Sequence, residues 1–176
     1  ITGQMDQFFS TVSQWSISPK NSVARRQVLD RAAGLAQSFN QTALELGDAA
    51  GRAGADITTT VQKINRLTSD IVALNAQRRE SLAGNGDAGL DSSLHAQLEE
   101  LAQYVDFTAL PQEDGSVSVF IGGQTAAVIG NHQWPIQVTN TGNGYQILDS
   151  DGIDITKRID QGKLGAVLDF RNNLLP

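Results

Sequence analysis

The residues best suited to chemistry cluster near position 150. Asp149, Asp151 and Asp154 surround Gly152 in the run Asp149-Ser150-Asp151-Gly152-Ile153-Asp154, and hard cations such as calcium take oxygen donors of this kind. The helix-loop-helix calcium site needs donors at its first, third and fifth positions, glycine at the sixth and glutamate at the twelfth. Counted from Asp149, glycine falls at the fourth position and Asp160 at the twelfth, and the preceding segment has strand character. Asp-Gly is also a strong hairpin-turn signal. The run therefore reads first as a turn, and Asp149, Asp151 and Asp154 as a metal site only second.

Nothing else in the chain assembles a catalytic set. The two histidines, His95 and His132, are far apart in the sequence, and there is no cysteine to complete a zinc site, form a disulfide or supply a thiolate. His95 reads as a helix residue and His132 as part of the loop before Trp134-Pro135. Ser150 and the other serines lack a Gly-x-Ser-x-Gly setting, and Gly122-Gly123 lacks the lysine and following helix of a phosphate loop. Glu99 and Glu100 are neighbours on a helix and point in different directions. No catalytic residue, no cofactor-binding residue and no enzyme activity are expected.

The composition narrows the partners. A net charge of -6, with basic pairs only at Arg25-Arg26, Arg78-Arg79 and Lys157-Arg158, does not suit a phosphate backbone, so nucleic acid is not an expected partner. No apolar run approaches the roughly 20 residues of a membrane helix, so a membrane is not expected either. The opening Ile1-Thr2-Gly3-Gln4 has neither the basic nor the apolar part of a secretory signal. Since the chain starts without methionine and stops at Pro176 after a helical pattern, it is expected to be a segment of a longer protein.

The elements that would position these residues are mostly helical. Met5, Phe8, Phe9, Val12 and Trp15 recur at threes and fours, as on a helix with one buried face, and Ser18-Pro19 ends it. Ser22 is the expected N-cap of a second, much longer helix. Its apolar positions are Val28, Ala32, Leu35, Phe39, Thr42 and Leu46, then Ile57, Val61, Ile64, Leu67, Ile71 and Leu74. Val28 and Ile64 are a whole number of turns apart at about 3.6 residues each, which lets one stripe keep a single face. Gly47, Gly51 and Gly54 leave a break or bend between the halves open.

Gly84-Asn85-Gly86-Asp87-Ala88-Gly89 reads as a loop. Leu90, Leu94, Leu98, Leu101 and Val105 then restore helical spacing for an antiparallel return. After Phe107 the period changes to two. Val117, Val119 and Ile121 alternate with Ser116, Ser118 and Phe120 between turns at Glu113-Asp114-Gly115 and Gly122-Gly123, and Thr125 to Ile129, Ile136 to Val138 and Tyr145 to Leu148 continue a small antiparallel sheet. Helical rhythm returns from Gly162 in Leu164, Val167, Leu168 and Leu174. The expected fold is α+β: an elongated antiparallel bundle of long amphipathic helices with a small antiparallel β region. Its expected parts are helices over 1–106, the β region over 107–160 and a returning helix over 161–176.

The order of these parts resembles the flagellar hook-associated proteins, in particular the family of the first hook-filament junction protein. Met5-Asp6-Gln7-Phe8-Phe9 opens the first helix, Pro19 stands in a short link, and a long Gln- and Asn-rich helix follows. The run from Glu113 to Gly123 with Val128-Ile129-Gly130 is similar to the family's hairpin region, and Gly162 to Pro176 to its helix before an outer domain. Where the family commonly has a Leu-Asp-Gln-Arg-Asp stretch, this chain has Leu90-Asp91-Ser92-Ser93-Leu94-His95.

The resemblance implies a flagellin-like core domain without the terminal assembly segments. It implies a structural subunit exported through the flagellar type III apparatus, located outside the cell, and joining hook to filament as a mechanical adaptor. Hook protein, other junction or filament subunits and self-association of the full-length protein would be its partners, while the fragment alone would be monomeric. Arg25, Arg26, Gln62, Arg66 and Arg78 are the guesses for lateral subunit contacts. The alternative is a surface module that binds carbohydrate or a host surface through the β region from Thr125 to Ile155, with Trp134 and Tyr145 at its centre.

Overall fold

The computed structural model of the chain describes residues 1–82 and 88–175. These residues fall into two compact units, 1–49 and 50–176. The α+β class expected from the patterning is the one observed, with four α-helices and two small antiparallel sheets among the described residues.

The first unit holds α1 (Thr2–Ile17) and the opening turns of α2 (Ser22–Leu82). The link between them is a tight turn in which Ser18 donates its amide to Trp15 O and Asn21 to Ser18 O. The Trp15 indole N–H reaches Pro19 O at 3.2 Å. Asn21, not Ser22, caps α2: its Oδ1 accepts from the amides of Val23 at 2.9 Å and Ala24 at 3.2 Å. Ser22 is already the first helical residue, so the side-chain oxygen that reaches the free first-turn amides sits one position earlier. The apolar face expected of α1 is present but uncovered. No residue of the helix is buried, and only Phe8, Thr11, Val12 and Trp15 are half-buried.

α2 remains helical through Gly47, Gly51 and Gly54. Gly54 has a packing reason, since a Cβ there would run into the Tyr145 hydroxyl and ring.

The second unit contains the core. Ile57, Val61, Ile64, Leu67 and Ile71 of α2 are almost wholly buried, together with Leu94 and Leu101 of α3 (Ala88–Tyr104) and Leu164 and Leu168 of α4 (Gly162–Asp169). Residues 84–87 of the expected glycine-rich loop lie outside the described residues, whereas Ala88 and Gly89 already belong to α3. The final helical segment is not uniform: after α4 the backbone widens into a π-helical turn, Phe170–Leu174. Gly162 opens α4 at φ 69, and a Cβ there would lie 2.7 Å from the Tyr104 carbonyl carbon and the Val105 nitrogen. Only glycine allows that conformation and approach together.

One sheet runs β1-β2-β3-β4, with β1 (Phe107–Pro111), β2 (Val117–Ile121), β3 (Thr125–Ile129) and β4 (His132–Gln133). The other pairs β5 (Gln137–Asn140) with β6 (Tyr145–Leu148). His132 thus lies in a short strand, not in the loop expected for it; pairing with Ile129 extends it. The alternation expected along β2 is only half right. Val117, Val119 and Ile121 face the core, but Ser116 and Ser118 are buried as well, so both faces of this strand are covered.

Candidate functional site

The acidic run near position 150 is built as a turn. Asp149 Oδ1 accepts from the amides of Asp151 at 3.0 Å and Ile153 at 2.9 Å, and Asp149 N–H donates to Ile153 O. Asp154 Oδ1 accepts from both the amide and the hydroxyl of Thr156, and these bonds hold its carboxyl below the usual aspartate range. One carboxylate oxygen of each of Asp149 and Asp154, Oδ1, is used to close the chain. Among the described residues no three His, Asp or Glu side chains are placed to hold a metal ion together.

The other candidate residues are dispersed. His95 is exposed on α3, and His132 stands beside Trp134 with ring centroids 5.9 Å apart. Glu100 Oε1 forms an ion pair with Lys63 at 2.6 Å, while Glu99 is exposed. Gly122 and Gly123 make the β2–β3 turn, both at positive φ. Tyr145 is no free aromatic platform: it packs on Gly54, Arg171 lies 6.0 Å from its ring centre, and Asn172 grips its backbone. An open groove of about 540 Å³ beside it is lined by Thr141, Thr156 and Lys157 together with Ile159 and Leu168.

The polar residues that do organise the molecule are asparagines. Asn75, fully buried on α2, donates from Nδ2 to Val117 O and Gly130 O, both at 2.9 Å, and accepts from Val117 N–H at 2.8 Å. Asn65 treats Ile136 in the same way, donating to its carbonyl at 2.8 Å and accepting from its amide at 3.0 Å. Asn172 does so for Tyr145 at 2.8 Å in both directions. In each case a side-chain amide pairs with one residue's N–H and C=O as a neighbouring strand would. Gln133 adds bonds to Asn65 O and the Thr68 hydroxyl. The sequence pattern held one sign of this role: Asn75 falls beside Leu74 within the apolar stripe of α2, where a polar residue needs a partner.

Arg25, Arg26, Gln62 and Arg66 are exposed on α2. Arg78 is engaged within the chain, its Nη2 3.0 Å from Asp91 Oδ1. A larger feature of α2 is a heptad seam. Leu29, Ala32, Ala36, Phe39, Ala43, Leu46, Ala50, Ala53 and Ile57 step by alternating threes and fours, and Thr60, Ile64, Leu67, Ile71 and Leu74 continue the series. From Ala53 to Ile71 the seam is buried, but Leu29 is 59% exposed, Phe39 47% and Leu46 40%. The seam is therefore covered in its second half and largely uncovered in its first.

The model of the flagellar hook-associated protein FlgK helical domain matches residues 1–176. The chain belongs to the FlgK hook-associated protein family. It is 24% identical over 181 residues to flagellar hook-associated protein 1 of Escherichia coli (strain K12), an alignment covering 96% of this chain and 33% of that protein. The flagellar hook junction protein FlgK from Burkholderia pseudomallei has the same fold, with a TM-score of 0.85 over 97% of this chain and 21% identity. The chain spans about a third of the length of these FlgK relatives.

Proposed function

We propose that this chain is a structural segment of a flagellar subunit that joins hook to filament and acts as a mechanical adaptor through lateral contacts between copies. The observation that carries the reading is the match of the FlgK helical domain to the whole chain. The physical features fit such a role. Buried and half-buried asparagines of α2 bind β2 and the segment before β5, and the acidic run closes its own turn. Polar helix faces bearing Arg25, Arg26, Gln62 and Arg66 suit numerous wet, individually weak contacts with neighbouring subunits. The bare half of the α2 seam supplies an apolar surface for assembly.

In this reading the full-length protein leaves the cell through the flagellar type III apparatus, and its partners are hook protein, other junction or filament subunits and further copies of itself. The chain by itself is a monomer in dilute solution; light scattering that finds a stable ring would overturn that part. The functional test is replacement of Leu29, Phe39 and Leu46 together by aspartate in the full-length protein, expressed in cells lacking their own copy. Motility and filament attachment are expected to fail while the second unit's melting transition is unchanged. Normal motility would refute the role given to the seam.

A further inference from the structure

Around the boundary of the two units, α2 has a bare stretch. Residues 43–48 are all exposed, 49 and 50 are half-buried, and 51 and 52 are exposed again. Burial begins at Ala53, 4% exposed. Helices in proteins are held chiefly by packing one face, and isolated stretches shorter than about 12–15 residues are marginal in water. Among the described residues, the one side-chain hydrogen bond reaching this stretch is at its start, from Gln41 to Glu45 at 2.9 Å.

Two glycines weaken the same stretch further. Gly47 and Gly51 are helical without positive φ, and a Cβ on either would meet nothing within 4 Å. Neither steric crowding nor backbone conformation requires glycine there, in contrast to Gly54 against Tyr145. Each glycine makes a helix about five-fold easier to open than alanine would. The boundary between the compact units, Ala49 to Ala50, falls between these two residues.

We propose that residues 43–52 are a yielding segment built into α2, where the helix opens or bends locally while the folded parts on either side stay intact. The inference concerns the mechanics of the helix where the stretch stays uncovered, and it is separate from the proposed junction role. Its test is amide hydrogen exchange, comparing residues 43–52 with residues 57–71, in the chain and in the full-length protein. In the unmodified protein 43–52 exchanges faster than 57–71. Gly47→Ala with Gly51→Ala slows exchange in 43–52 by about 25-fold, two five-fold steps, and leaves 57–71 unchanged. Equal protection of the two segments would overturn the proposal, in the full-length protein above all, where it would mean that another part of the polypeptide covers the stretch. An alanine pair that leaves 43–52 unchanged, or slows both segments alike, would overturn it too.

Discussion

Replacing Asn75 by alanine removes three hydrogen bonds and leaves their partners behind. Val117 N–H loses its acceptor, and the carbonyls of Val117 and Gly130 lose a donor, all at a site where Asn75 is wholly buried. A buried polar group left unpaired costs about 1–3 kcal/mol, with the N–H at the upper end because a carbonyl keeps a second lone pair. With the small cavity added, the expected loss is about 3–5 kcal/mol, a large part of a domain's typical stability of about 5–15 kcal/mol. Urea unfolding followed by helix circular dichroism and by Trp134 fluorescence, in a Trp15→Phe background, measures it. The midpoint should fall at unchanged m. Asn75→Asp adds a check on sign. Its carboxylate still accepts from Val117 N–H but faces two carbonyls in a buried site, so its folded pKa lies above the unfolded value near 3.9. The variant is then least stable at neutral pH and recovers as the pH falls through that raised pKa. A loss below about 1 kcal/mol for Asn75→Ala would refute the argument, because it would mean that water replaces the amide without penalty.

Gly54→Ala should cost about 1–3 kcal/mol by forcing the Tyr145 ring aside, and the loss should shrink in a Tyr145→Ala background, both read by urea midpoint. Asp106 Oδ1 is buried without a hydrogen-bond partner, and burial, with the Asp160 charge nearby, raises its pKa. A raised folded pKa makes the ionised form a cost at neutral pH, so Asp106→Asn should stabilise at pH 7, and the gain should vanish as the pH falls through the raised pKa toward 3.8. Lys63→Ala should lower the unfolding free energy by no more than about 0.2–1 kcal/mol, since the Lys63–Glu100 side chains are 35% and 38% exposed, and 1 M salt should erase the difference. Calcium or magnesium should leave the melting temperature unchanged, as Asp149 and Asp154 are committed to backbone amides.

The helices were legible because their signal is local and repeated. The threes and fours from Ile57 to Leu74 describe a stripe that is buried as far as Ile71 and half-buried at Leu74. The same rhythm from Val28 to Leu46 predicted a helix equally well, yet periodicity reports only that a face is apolar, not that anything covers it. β2 was legible from Val117, Val119 and Ile121; β1 was not, because Phe107–Pro111 ends in proline and becomes a strand only through its pairing with β2. At a sheet edge proline removes no bond the fold needs. The asparagine clamps were the least legible part. Asn65 and Asn75 bind residues 71 and 42 positions away, and a lone asparagine on a helix looks like a surface residue until the backbone it grips is in view.

Asn65 and Asn75 belong to one helix and hold Ile136 and Val117 at separate points along it. Sliding α2 by one turn, about 5.4 Å, would break both sets of bonds together instead of one after the other. A pull along the helix axis therefore loads them in shear and divides the force, like two dowels through a joint. Because the paired groups are neutral amides, changes in salt concentration leave that joint at full strength.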